Sequence, residues 1–296
     1  MTPAARRLIA LSIACAATIA GVASAQVAGP PAGHFGGGAI ALPVSDAAAK
    51  DIALSIRARR NGTIGIGGEV PSRCGRAAIR GRTRLAADGS FTLRATTTRR
   101  PFVGVSERST FVVKGRLTAD GGTGTVAARL RVRAKGRGTR SCKTRTVRWT
   151  VRRAAGHATA PAPAPAGALL YGLTSQDGPE AKHAIVLHVT GDGRSIDRLL
   201  ARFRTRCEKR VIVVADEINY SPQFDVAADG SFRMVERFTT NYSDVILRTT
   251  VVVSGQFDAA GAAAGKLAVT QRFKNRRNAR RVDVCSTGTL RWAARQ

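Results

Sequence analysis

Carboxylates and histidines are scarce in this 296-residue chain, and their scarcity removes several common chemistries at once. It has 19 Asp and Glu and 4 His against 48 Lys and Arg. His34, His157, His183 and His188 form no His-Glu-x-x-His pattern, and neither Gly-x-Ser-x-Gly nor Cys-x-x-Cys occurs. Zinc peptidase, serine hydrolase and dithiol redox chemistry therefore lack their usual signatures. Aromatic residues make up 5% of the chain, with 2 Trp and 3 Tyr. So few leave little for a base-stacking platform or a sugar-binding groove. After the first 25 residues no segment approaches the roughly 18 uncharged apolar residues that a membrane-spanning helix needs. No transmembrane segment is expected in the mature chain.

The start of the chain has its own pattern. Arg6 and Arg7 precede an uncharged apolar run from Leu8 to Ala23, and Ala23-Ser24-Ala25 has the small-x-small form of a cleavage site. Residues 1–25 are read as a secretory signal peptide, with the mature chain beginning near Gln26. Cys15 lies in the middle of the apolar run, and Ser12 stands where lipoprotein signals favour leucine, so the cysteine is not placed as in a lipidation signal. Cys74, Cys142, Cys207 and Cys285 remain, an even set suited to an oxidising compartment.

An internal duplication organises the rest. Ala-Ala-Asp-Gly-Ser-Phe occurs at Ala86 to Phe91 and again at Ala227 to Phe232. Val112 to Leu117 (Val-Val-Lys-Gly-Arg-Leu) is matched by Val252 to Phe257 (Val-Val-Ser-Gly-Gln-Phe), and each copy closes on a Cys-x-Thr-x-Thr-x-Arg-Trp segment ending at Trp149 or Trp292. Each copy holds two cysteines at equivalent places, so the economical pairing is Cys74 with Cys142 and Cys207 with Cys285. Between the copies, residues 156–167 contain Ala-Pro-Ala-Pro-Ala-Pro, an extended semi-rigid spacer. The Gly-rich 26–39 reads as a flexible lead-in. The repeats are placed at 40–155 and 168–296.

Within each copy, short runs of alternating β-branched residues are separated by Asn61-Gly62, Asp88-Gly89, Asp120-Gly121, Asp192-Gly193 and Asp229-Gly230. These dipeptides suit tight hairpin turns. The fold class expected is all-β: two tandem antiparallel β-sandwich domains, each with one intradomain disulfide. Leu199 to Phe203 alone suggests a short helical turn. Trp149 shares a strand face with Val147 and Val151 and is assigned to the core, as is Trp292. The combination of Asp-Gly-Ser-Phe, Val-x-Gly-[Arg/Gln]-[Leu/Phe] and Cys-x-Thr-Gly-Thr-x-Arg-Trp resembles a group of uncharacterised secreted proteins of high-GC actinobacteria. That resemblance implies no activity and no functional residue.

His183 and His188 are five residues apart and fall on opposite sides of a strand, a poor metal pair. The recurrent aspartates mostly precede glycine, as turn formers do. Asp192 to Asp197 lacks the spacing and terminal Glu of a calcium loop. No catalytic residue, metal or cofactor is expected.

What remains is charge, a net +29. Residues 40–155 hold 26 basic and 6 acidic residues, residues 168–296 hold 20 and 13, so the balance is +20 against +7. Arg129, Arg131, Arg133 and Lys135 alternate along one strand as a basic stripe that the strand from Lys266 to Arg272 does not reproduce. Basic loops precede the second cysteine of each copy, with Lys135, Arg137 and Arg140 in one and Lys274, Arg276, Arg277, Arg280 and Arg281 in the other. The expectation is a secreted or wall-associated, non-enzymatic protein with anionic cell-envelope polymers as partners. The alternatives are a carbohydrate-binding or glycoside-hydrolysing sandwich and a structural or protein-interaction module.

Overall fold

The structure is a computed structural model. It describes residues 31–41, 51–100, 104–136, 138–154, 160–209, 213–220, 223–241, 245–276, 278 and 281–296. Residues 1–25 expected to form the signal peptide, Cys15 among them, and His157, Arg137, Arg277 and Arg280 lie outside the described residues, as does the side chain of Arg281.

Every regular element among the described residues is a strand. The first domain contains β1 (Gly33–Ala39), β2 (Ile52–Ala58), β3 (Thr63–Ser72), β4 (Gly75–Arg84), β5 (Ser90–Arg99), β6 (Val105–Leu117), β7 (Gly121–Ala134), β8 (Gly138–Lys143) and β9 (Val147–Arg153). The second contains β10 (Leu169–Asp177), β11 (Lys182–Val189), β12 (Ser195–Cys207), β13 (Val213–Tyr220), β14 (Phe224–Asp225), β15 (Ser231–Asn241), β16 (Val245–Phe257), β17 (Ala263–Asn275) and β18 (Arg281–Arg295).

The first sheet runs β4-β3-β2-β1-β9-β7-β6-β5 and the second β13-β12-β11-β10-β18-β17-β16-β15, the same path with each strand replaced by its counterpart. The layers of each sandwich are thus the two halves of one curled antiparallel sheet around one core. Phe35, Leu54, Ile66, Phe111, Leu130 and Trp149 pack in a single cluster in the first domain. Leu170, Ile185, Phe203, Val253, Leu267 and Trp292 do so in the second. In the first domain the path's ends meet through side chains: Thr83 Oγ1 donates to Thr92 O at 3.0 Å and Thr97 Oγ1 to Arg80 O at 3.3 Å. In the second an additional ladder joins two interior strands of the path, β12 pairing β18 at Arg206–Ser286 and Cys207–Cys285.

The repeated motifs are explained by this scaffold. Asp88 Oδ1 accepts Ser90 N–H at 3.0 Å and Asp229 Oδ1 accepts Ser231 N–H at 2.8 Å. The following glycines, at φ of 80° and 81°, take the left-handed conformation that closes the turn. Phe91 and Phe232 then pack on Trp149 and Trp292, with ring centroids 6.1 and 6.0 Å apart. A Cβ on Gly115 would stand 2.4 Å from Trp149 Cζ2, and one on Gly255 2.7 Å from Trp292 Cζ2, so the glycine of Val-x-Gly makes room for the indole. Thr144 and Thr287 accept the N–H of Ala128 and Val269 at 2.8 and 2.9 Å, the same irregularity held the same way. The disulfides are Cys74–Cys142 and Cys207–Cys285, as the repeat requires.

Three sequence expectations change. Residues 33–39 belong to no flexible lead-in: they form β1, hydrogen-bonded between β2 and β9. The glycines serve an approach, since a Cβ on Gly36 would lie 2.0 Å from Gly172 O of the other domain. The spacer, where described, lies along the second domain. Ala162 N–H donates to Phe257 O and Ala259 N–H to Ala160 O, both at 3.1 Å, and Ala164 packs against the core. Leu199 to Phe203 is no helical turn but the centre of β12, which pairs with β11 and β13; two flanking strands outweigh local helix preference.

The domains pack directly. Ile40 and Ala53 meet Ala184, Val186 and Leu200 in a small apolar cluster. Beside it Arg198 Nε sits 3.1 Å from Asp51 Oδ2, both side chains wholly buried. At one edge Glu180 receives Arg82 at 2.5 Å and Arg80 at 3.5 Å across the interface.

A candidate anion-binding face

Strand register decides which basic residues stand together. On β7, Arg129, Arg131 and Arg133 share the outward face, as their alternation requires, and lie opposite Lys143, Ser141 and Thr139 of β8. On the other flank they face Thr110, Arg108 and Ser106 of β6. Arg140 is opposite Val132 and so belongs to the other face of the hairpin. The stripe is therefore broader than the sequence suggested, and Arg108 joins it. Arg108, Arg131, Arg133, Lys135, Ser106 and Thr139 line an open groove of about 680 Å³, and Arg129 and Ser141 border a second hollow alongside.

On the outward face of β5 to β8 the described residues are mostly Thr, Ser, Arg and Lys, with Val112 and Ala127 among them, and include no Asp or Glu. Glu107 falls on the opposite face, where Arg99 engages it. Arg108, Arg129, Arg131 and Arg133 make no ion pair among the described residues. Guanidinium forks beside hydroxyl donors, with no internal acceptor of charge, suit oxyanions.

Comparison of the copies revises the sequence reading of the second domain. Gly115 pairs with Gly124 on β6 and β7, and Gly255 pairs with Gly265 on β16 and β17. Arg108 lies 7 residues before the first glycine and Arg131 7 after the second; Arg248 and Arg272 stand at the same offsets. In both domains the two arginines are direct cross-strand partners, Arg108 with Arg131 and Arg248 with Arg272, and all four are exposed. Arg133 likewise corresponds to Lys274. The second copy thus retains part of the stripe. Arg129 has Thr270 at its equivalent place, so that cation of the stripe is missing from the second copy. The signal was present in the sequence as the matched offsets from glycine, but the partner of each arginine lies on another strand.

Like charges directly opposite on neighbouring strands oppose folding. Recurrence of the pair in both copies is therefore not explained by the scaffold, unlike the turns, the glycines and the tryptophans. The outward face of β15 to β17 also carries Arg233, Arg237 and Lys266 and, among its described residues, no carboxylate.

The described histidines and the calcium-loop-like aspartates lie away from this face. His188 Nδ1 is 2.5 Å from Asp197 Oδ1, and His183 is buried. Asp192 accepts from Thr190 Oγ1 at 2.5 Å and from Arg194 N–H at 3.0 Å, a turn rather than a cation loop, and the threonine bond holds its carboxyl below the usual range. Asp283 lies against Cys207 and Cys285, whose sulfurs are bonded to each other. Phe238 is the exposed aromatic among the described residues. No family model and no curated protein matches the chain.

Proposed function

We propose that this chain is an exported, non-enzymatic protein that adheres to anionic polymers of the cell envelope through the outward faces of its two sheets. The observation that carries the reading is the repeated, uncompensated arginine pair, Arg108 with Arg131 and Arg248 with Arg272. A phosphate or carboxylate polymer supplies the charge that each pair lacks, and the flanking hydroxyls of Ser106, Thr110 and Thr139 donate to its remaining oxygens. The signal-like start and the two disulfides agree with export to an oxidising compartment. The first domain is the stronger binder because Arg129 and the β7–β8 hairpin extend its groove.

The test is retention of the mature protein on phosphocellulose and on purified cell wall across a salt series. Apparent affinity should fall steeply with salt, since bound counterions are released. The quadruple variant R108Q/R131Q/R248Q/R272Q should reduce the log–log salt slope by roughly 3, the release expected from four phosphate contacts. Flow-through of the unaltered protein at low salt, or an unchanged slope in the variant, defeats the proposal.

A further inference from the structure

A second site lies between the domains and owes nothing to the outward faces. A cleft of about 250 Å³ is walled by Glu69 and Arg99 from the first domain and by Glu180, His183, Arg202 and Arg204 from the second. Its carboxylates are already committed. Glu69 is shared by Arg99 at 2.7 Å, Arg76 at 3.5 Å and Arg202 at 3.9 Å, while Glu180 is taken by Arg80 and Arg82.

The cations are less well served. Among the described residues Arg202 has only its 3.9 Å approach to Glu69, beyond hydrogen-bond range, and its Nε is buried without an acceptor. Arg204 makes no ion pair among the described residues. His183 is 4% exposed, and its Nε2 has no hydrogen-bond partner among the described residues. Gly67 keeps the space beside the guanidinium open, for a Cβ there would stand 4.0 Å from Arg202 Nη1. Buried donors without acceptors are costly, and a guanidinium short of charge more so.

We propose that this cleft binds a small oxyanion, a phosphate or carboxylate group, through Arg202, Arg204 and the Nε2 of His183. An oxyanion brings several acceptor lone pairs in a geometry that guanidinium forks match. At roughly 30 Å³ per water, the volume admits a group of several heavy atoms. Because its walls come from β3, β4 and β5 on one side and β11 and β12 on the other, a bound anion ties the domains together.

The experiment is calorimetric titration of the mature protein with inorganic phosphate and, separately, with acetate, each against chloride at matched ionic strength. One saturable site per chain is expected. It should persist in R108Q/R131Q/R248Q/R272Q, so that failure here and failure of polymer binding remain distinguishable. Stronger heat with phosphate assigns the phosphate class, and stronger heat with acetate the carboxylate class. Arg202→Gln should weaken binding at least tenfold. Should that variant not fold, Arg204→Gln leaves every partner of Glu69 in place and should weaken binding severalfold. The ring ¹⁵N signals of His183 should shift on saturation. No saturable heat beyond chloride, undiminished binding in the folded variants, or unmoved His183 signals on binding would each overturn the assignment.

Discussion

Replacement of Arg198 by methionine tests the domain interface where its cost is greatest. Arg198 and Asp51 are both wholly buried, 3.1 Å apart, beside the apolar contact of Ile40 and Ala53 with Val186 and Leu200. Asp51 Oδ1 also accepts Ala41 N–H at 2.9 Å, so the carboxylate is fixed in place and cannot swing to solvent. Removing the guanidinium strands that charge in an apolar site, a loss of about 3–5 kcal/mol. At roughly 2–4 °C per kcal/mol for a chain of this size, melting should fall by about 6–20 °C. Urea unfolding followed by tryptophan fluorescence suits the measurement, because Trp149 and Trp292 report one domain each. The double variant D51L/R198M removes both charges, and replacing a buried pair by apolar side chains is often neutral. It should therefore be more stable than R198M alone. A loss under about 1 kcal/mol in R198M, or a double variant as unstable as the sum of the singles, would refute the reasoning.

Other perturbations address the scaffold. Gly115→Ala and Gly255→Ala place a methyl against the indole rings and should each cost about 1–3 kcal/mol by overpacking, read as a lower urea midpoint for the matching tryptophan. Removing either disulfide as a Cys→Ser pair reopens a loop of 68 or 78 residues and should cost about 4 kcal/mol in its own domain, measured by unfolding each variant. Burial, with Arg202 and Arg204 adding to it, pushes His183 down to about 3. Its unfolded value lies near 6.5. Between these the unfolded chain binds a proton that the folded chain refuses, so stability is full above pH 6.5 and declines at lower pH by about 1.4 kcal/mol per unit. His183→Gln should flatten that part of a melting-temperature series from pH 7 to 4, and parallel curves for the two proteins would contradict it.

Much of the fold was legible because its signals are local or repeated. Alternation marked most of β2, β3, β5, β6 and β7, and Asp-Gly marked the turns. Matched positions in the two copies selected the disulfide pairing, and Trp149 proved 2% exposed as its strand face required. Where glycine or arginine replaced the β-branched pattern, the strands were missed. Gly33–Ala39 reads as a lead-in because its apolar content is low, and Gly75–Arg84 gives no β-branched alternation because arginine fills most of its outward positions.

The sequence by itself determined what depends on neighbours along the chain: strand periodicity, turn chemistry, the duplicated core and the excess of positive charge. Tertiary structure alone decided which charges face one another. Arg108 meets Arg131 because β6 and β7 pair in one register, and a slip of one residue would have turned them to opposite faces. Asp51 meets Arg198, and the cleft around Arg202 exists, because the two sheets approach closely at Gly36 and Gly172, where a Cβ on Gly36 would clash with the facing backbone. Such contacts follow from distance in space, and separation along the chain carries no record of it.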